Sequence, residues 1–271
     1  MADKWGVIDK SGAWVVEPTF DELGPFSEAL ARAKMADKWG FIDKSGAWVV
    51  EPTFDSLDSF SKGLARALKD RKVGFIDKKG AWAIAQNFNW VFHFSNGLAK
   101  ANYDHKWGYI DIKGHWLTPP NFDWLLEFSD NLASATLDGL KWGVIDKKGD
   151  WMIAPDFDYV GVFSEGLALA KQEDRYGFID KTGAWLIAPD FDSVGNFSEG
   201  LAMAIKEDKW GFIDKSGAWL IAPDFDSVGD FSEGLALAGK NNYWGIINKK
   251  GHWVIPPLFA DISFNFIEKS K

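Results

Sequence analysis

The pair Trp5-Gly6 opens a segment that this chain writes again about every 34 residues. The first position of the pair falls at Trp5, Trp39, Val73, Trp107, Trp142, Tyr176, Trp210 and Trp244. One step is a residue longer because the loop around Asp138 to Leu140 carries an insertion. A period of this size marks a repeat architecture, in which each unit is too small to bury its own apolar face and does so by stacking on its neighbours. The expected organisation is one array over residues 1–271. Its units begin near 4, 38, 72, 106, 141, 175, 209 and 243, and the last is incomplete, with an atypical strand at 262–267.

Lys209 to Ala238 is the clearest copy. In the first copy, Trp5 to Asp9 alternates residue by residue, the period of a strand. Asp9-Lys10-Ser11-Gly12 reads as a turn in which glycine supplies a positive φ, and glycine recurs there through Gly251. Ala13 to Val16 reads as the second strand, rich in aromatic and β-branched residues, and Pro18 is expected to stop it. A linker of about ten residues follows, pinned by Phe20, Leu23 and Phe26. The third strand, Gly234 to Ala238 in the clear copy, has alanines at alternate positions, which implies close approach by a neighbouring sheet. Each unit is therefore expected to be a three-stranded antiparallel meander, and the fold all-β.

The pattern from "WGFIDKSGAWLIAPDFD" to "FSEGLALA" resembles the bacterial WG repeat, also called the KWG repeat, over essentially the whole chain. Val73 and Tyr176 depart at the naming position, both as substitutions at a packing site. The resemblance implies a β-rich tandem array with a binding or scaffolding role and no set chemistry. The first copy has no polar cap, since residues 1–20 nearly repeat 35–54. One way to cover its open face is a closed, propeller-like ring in which residues 262–267 supply the missing strand. The alternative is an open β-solenoid or superhelix that self-associates through its uncapped N-terminal repeat.

A net charge of −9 argues against nucleic acid or an anionic membrane as partner. No apolar run is long enough to span a bilayer, and residues 1–9 enter the repeat without a signal-type segment, so a cytoplasmic setting is expected. With no cysteine, thiolate catalysis and cysteine-based zinc sites are excluded. The recurring carboxylates Asp156/Asp158, Asp190/Asp192 and Asp224/Asp226 invite a metal or acid–base reading. However, Thr19, Thr53 and Asn121 replace the first of the pair elsewhere, and aspartate beside a turn ordinarily accepts local backbone hydrogen bonds. The histidines lack ligand spacing, and Ser164, Ser198 and Ser232 lack a companion base. No catalytic residue, metal site or cofactor is therefore expected.

Binding is better sought where the copies differ. Two residues after the linker phenylalanine stand Glu22, Ser56, Trp90, Trp124, Tyr159, Ser193, Ser227 and Asp261. Only Trp90, Trp124 and Tyr159 are aromatic, and equivalent positions in successive copies are expected to line up as a stripe. Asn89, His93, Tyr103 and His105 vary nearby, as do Asn87, Asn102 and Asn121. Aromatic rings flanked by amides suit protein anchors, peptides or sugar rings. The expected function is a non-enzymatic scaffold for a protein or peptide. A lectin-like glycan-binding module and a self-assembling structural or filament protein are the alternatives.

Overall fold

A computed structural model describes residues 4–260. The strand expected at 262–267 and Asp261 lie outside the described residues. By its internal contacts the chain divides into two units, Met1–Asn121 and Phe122–Lys271.

The described residues are all-β and form antiparallel sheets of consecutive strands. The first sheet pairs β1 (Trp5–Ile8) with β2 (Trp14–Phe20) and has only these two strands. The second runs in order through β3 (Glu22–Ser27), β4 (Leu30–Met35), β5 (Lys38–Ile42) and β6 (Trp48–Phe54). Six more four-stranded sheets follow the same plan, ending with Trp253–Phe259.

This corrects the three-stranded meander. The segment expected as linker contains a strand of its own, six residues long at Glu22–Ser27 but only two at Ser56–Leu57 or Trp90–Val91. The sheets are also out of phase with the sequence units. The alanine strand of one copy pairs with the Trp-Gly strand of the next, as in Ala31↔Ile42 and Ala33↔Gly40. The cause is local: Ala36 and Asp37 both hold positive φ, a two-residue turn whose twist matches the strands it joins. Proline does not end the second strand either. Trp48–Phe54 continues through Pro52, and its register against β5 shifts between Trp39 and Phe41, so the residue without an N–H sits at a bulge. The same bulge explains the glycine of the Trp-Gly pair: a Cβ on Gly40 would lie 2.3 Å from the Val50 carbonyl oxygen. The turn glycine behaves as expected, with φ of 85° at Gly46.

Both faces of a sheet are buried. Ala31 and Ala33 are fully covered, as are their counterparts down to Ala236 and Ala238. Phe41, Val50 and Phe54 from one sheet meet Leu57, Phe60, Ala65, Ala67 and Ile76 from the next in one apolar cluster. An edge-to-face ring pair fastens each such junction. Phe54 meets Trp82 at 5.7 Å, and Phe88–Trp116, Phe157–Trp185, Phe191–Trp219 and Phe225–Trp253 repeat the geometry.

Polar residues repeat as consistently. Asp43 accepts from the Ser45 backbone and hydroxyl and from the Ala47 amide, so the Asp of "IDK" shapes its own turn. Its carboxyl is held below the ordinary range, chiefly by the serine hydroxyl. The serine of "FSEG" is a donor: Ser164 and Ser198 give their hydroxyl protons to the Phe197 and Phe231 carbonyls of the following sheet. The glutamate beside it reaches across too. Glu199 accepts from the Gly234 amide at 3.0 Å and pairs with Lys249 at 2.9 Å.

Candidate functional site

The second aspartate of "PDFD" has a fixed task in most copies. Asp158 accepts from Lys141 with one oxygen and from the Glu173 turn amide with the other. Asp55 does the same with Lys38 and the Asp70 amide, and Lys38 lowers its pKa most. The first aspartate pairs with the lysine at the end of the next sheet's alanine strand in two copies, Asp190–Lys206 and Asp224–Lys240. These carboxylate contacts join consecutive sheets. Among the described residues no three histidine or acidic side chains cluster as a metal site would require.

The third copy breaks this scheme in a coordinated way. Gln86 stands where the other copies have proline, Asn87 and Asn89 replace the two aspartates, and Tyr103 stands where Lys206 and Lys240 stand in later copies. Asn89 keeps the structural contacts, its Oδ1 accepting from Lys72 and from the Asp104 amide at 3.2 Å each. One ion pair has given way to the neutral Asn87 and Tyr103, and the other keeps only its cation, Lys72. Lys72, Gln86, Asn87, Asn89, Tyr103 and Asp104 line an open groove of about 520 Å³. The Gln86 Oε1 is buried without a hydrogen-bond partner.

A second cluster lies along the short strand Trp90–Val91 and its partner Leu98–Tyr103. Register puts Trp90 opposite Asn102 and Val91 opposite Ala101, and the Phe92 amide donates to the Lys100 carbonyl. Trp90 is 44% exposed and Phe92 41%. Arg66 lies over the Trp90 ring at 4.8 Å, and the Lys100 Nζ lies 4.8 Å from the Phe92 ring and 5.4 Å from Trp107. Arg66 is held by Asp58 at 2.7 Å and donates to the Val91 carbonyl at 3.0 Å, while the His93 Nε2 sits 3.4 Å from Asp58. Cations over ring faces with satisfied donors make a rigid amphipathic surface.

The sequence candidates therefore separate. Trp90 and His93 join the cationic cluster with Asp58 and Arg66, whereas Asn89 and Tyr103 line the amide groove. His105 lines neither and is the second residue of the hairpin turn, at φ 64°. Trp124 and Tyr159 belong to the second unit and hold the register of Trp90, opposite Thr136 and Lys171. Trp124 is exposed, while Tyr159 is half-buried against Trp142 at 5.2 Å, and burial raises its pKa.

Sequence reasoning missed Asp58, Arg66, Phe92 and Lys100. The available signal was joint variation at two cross-strand positions. Copies carry Gly24/Arg32, Asp58/Arg66, Phe92/Lys100, Leu126/Ser134, Gly161/Leu169, Gly195/Met203 and Gly229/Leu237. A Cβ at Gly161 would come within 2.8 Å of Leu169, and one at Gly195 within 2.7 Å of Met203, so those two partners favour glycine.

The profile of the WG-containing repeat matches eight successive segments, 5–39, 39–72, 74–107, 107–140, 142–176, 176–210, 210–244 and 244–269. No curated protein matches the chain. Among solved structures it is similar to the computationally designed Ika8 protein, at 14% identity over 86% of this chain and 84% of that one, with a TM-score of 0.45. It is also similar to BamB from Moraxella catarrhalis, at 13% identity over 85% and 82% with a TM-score of 0.39. Kluyveromyces lactis Hsv2p aligns at 7% identity over 83% and 92%, with a TM-score of 0.40. With its profile matched from residue 5 to residue 269, this chain belongs to the WG-containing repeat family.

Proposed function

We propose that the chain is a non-enzymatic β scaffold that binds a protein or peptide through the variable face of its third copy. The carrying observation is that Trp90 and Phe92 are exposed aromatics at positions where the fold accepts Ser193 and Gly195. Tryptophan and arginine are enriched at interface hot spots, tryptophan because it buries a large, rigid area with few rotors. The test replaces Trp90, Phe92 and Lys100 by the residues of the sixth copy, W90S/F92G/K100M, which that copy shows to be compatible with the sheet. Quantitative affinity capture from the native cell extract should retain a protein with the parent chain and lose it with the variant. Equal capture by both would refute the reading.

The amide groove favours a second reading, a glycan ligand, since Gln86, Asn87, Asn89 and Tyr103 offer neutral donors and acceptors beside Lys72 and Asp104. N87D/N89D restores the acidic pattern of later copies and should abolish retention on a glycan array.

Closure of the array belongs to the same proposal. In the last sheet Ile255 and Phe259 are 36% and 44% exposed, where the preceding sheet buries Ile221 and Phe225 to 6% and 5%. In the first sheet Trp5, Ile8 and Trp14 are exposed. A ring in which residues 262–267 complete the first sheet would cover such surfaces. A compact monomer by light scattering and small-angle X-ray scattering is the expected result. A mass that rises with concentration would favour self-association through the first sheet instead.

A further inference from the structure

Most junctions between sheets hold a carboxylate at one recurring position, and at one of them a lysine stands in its place. The turn after the "FS" pair holds two residues at positive φ, such as Glu199 and Gly200, and its amides face the preceding sheet. Glu165 puts its carboxylate on the Gly200 amide at 3.1 Å and on Lys215 at 3.1 Å. Glu199 occupies the Gly234 amide and Lys249 in the same way. In the first unit Glu28 lies 3.2 Å from the Gly63 amide and 2.9 Å from Lys78, and Lys78 followed by that amide depresses its pKa. Successive turn amides of this kind form an anion-binding concavity.

Between the second and third copies the donors persist and the acid is gone. The turn residues Asn96 and Gly97 keep φ of 50° and 80°. The residue in the place of Glu28 is Lys62, and the residue in the place of Lys78 is Ile112. No ion pair engages Lys62 among the described residues. Beside it lies a cavity of about 130 Å³ lined by Leu64, Phe75, Phe94 and Ile112, with Lys62, Arg66, His93, Ser59 and Ser61 as its polar lining. An internal acid and its lysine have thus been exchanged for a free ammonium and an apolar wall.

We infer that this junction captures the C-terminal carboxylate of a partner polypeptide whose last side chain is apolar. The carboxylate takes the place of the missing glutamate, on the Gly97 amide and the Lys62 ammonium. The side chain enters the cavity against Phe75, Phe94 and Ile112. A chain terminus fits better than an internal glutamate because its carboxylate and side chain branch from one Cα, and the acidic and apolar subsites adjoin. Backbone amides at a turn are a known means of holding chain-terminal carboxylates. A dry apolar cavity of about 150 Å³ takes a benzene ring, so a leucine or phenylalanine is the expected size.

The inference rests on the peptide-binding reading above and can fail without it. The experiment measures fluorescence anisotropy of labelled hexapeptides ending in Leu or Phe, against the same peptides with C-terminal amides and against one with an internal Glu. The free-acid peptides should bind ~10-fold or more tightly than either control, the worth of a charge-assisted hydrogen bond and its ion pair. The variant K62E/I112K rebuilds the glutamate–lysine clamp that other junctions show to fold, and should abolish the preference for the free acid. Equal binding of acid and amide, no binding of either, or an unchanged preference in K62E/I112K would each overturn the inference. If W90S/F92G/K100M loses its captured partner while no carboxylate preference exists, the scaffold reading stands and this pocket does not.

Discussion

Two junctions of the same design, Phe88–Trp116 in the first unit and Phe191–Trp219 in the second, show what the fold requires and what it leaves free. The edge-to-face pair stands at 5.6 Å in one and 5.7 Å in the other. Both bury an alanine strand against the preceding sheet, Ala99 and Ala101 in one and Ala202 and Ala204 in the other. The turn charges differ. Glu165 and Lys215 lock the later junction, whereas Lys62 and Ile112 leave the earlier one unlocked. Apolar stapling therefore carries the architecture, and the polar clamp is available for other use.

The largest effect should come from the shared element. Phe88→Ala and Phe191→Ala each remove a buried ring and should cost about 3–5 kcal/mol, measured by chemical denaturation. The comparison predicts similar losses at the two sites. A Phe88 loss under half that of Phe191 would mean that the unlocked junction is also loosely packed.

Next comes the backbone contact common to every complete sheet. Gly211→Ala drives a Cβ to within 2.5 Å of the Ile221 carbonyl oxygen, and Gly40→Ala does the same against Val50. Overpacking of this kind costs about 1–3 kcal/mol. Thermal unfolding of the two variants should fall in parallel, and an unchanged midpoint in either would deny the bulge its role.

This glycine illustrates what the sequence could convey. Its recurrence in the Trp-Gly pair is plain, but the carbonyl that forbids a side chain belongs to a bulge that only the partner strand reveals. Period-2 alternation, the turn glycines and the small alanines were readable because each is a local or single-strand property. The short strand Trp90–Val91 was not, since two residues carry no period. Pro18, which Trp14–Phe20 runs through, misled for a related reason: proline ends a ladder only where its missing N–H would have been used. At the site, exposed Trp90 stood out because other copies place serine there. Arg66 stayed hidden because its meaning depends on Asp58 and on the Trp90 ring, both brought to it by pairing across strands.

A smaller effect tests the difference itself. E199A deletes the acceptor of Gly234 and Lys249 in the second unit and should lower the unfolding midpoint slightly. K62E/I112K adds the clamp to the first unit and should raise it slightly. Opposite signs are the expected result. A stabilising E199A would show that the clamp is neutral and that its absence at Lys62 frees nothing.

The smallest effect is titratable. Asp55, Asp158 and Asp226 are held below their ordinary pKa, first by Lys38, Lys141 and Lys209 respectively, whereas the third copy has uncharged Asn89 in that place. A carboxyl depressed in the folded state contributes stability that is present above its unfolded pKa of about 4 and is lost as pH falls through the folded value. The chain should therefore lose stability on acidification below about pH 4, with each such aspartate taking a share. Asp226→Asn, which copies the third copy, should lower stability at pH 7 yet flatten the acid limb of the denaturation profile. Asn89→Asp should steepen that limb, because Lys72 and the Asp104 amide already stand where a carboxylate would be held. Identical acid limbs for the two variants would place the depression of these groups outside the lysine contacts that distinguish the third copy from its neighbours.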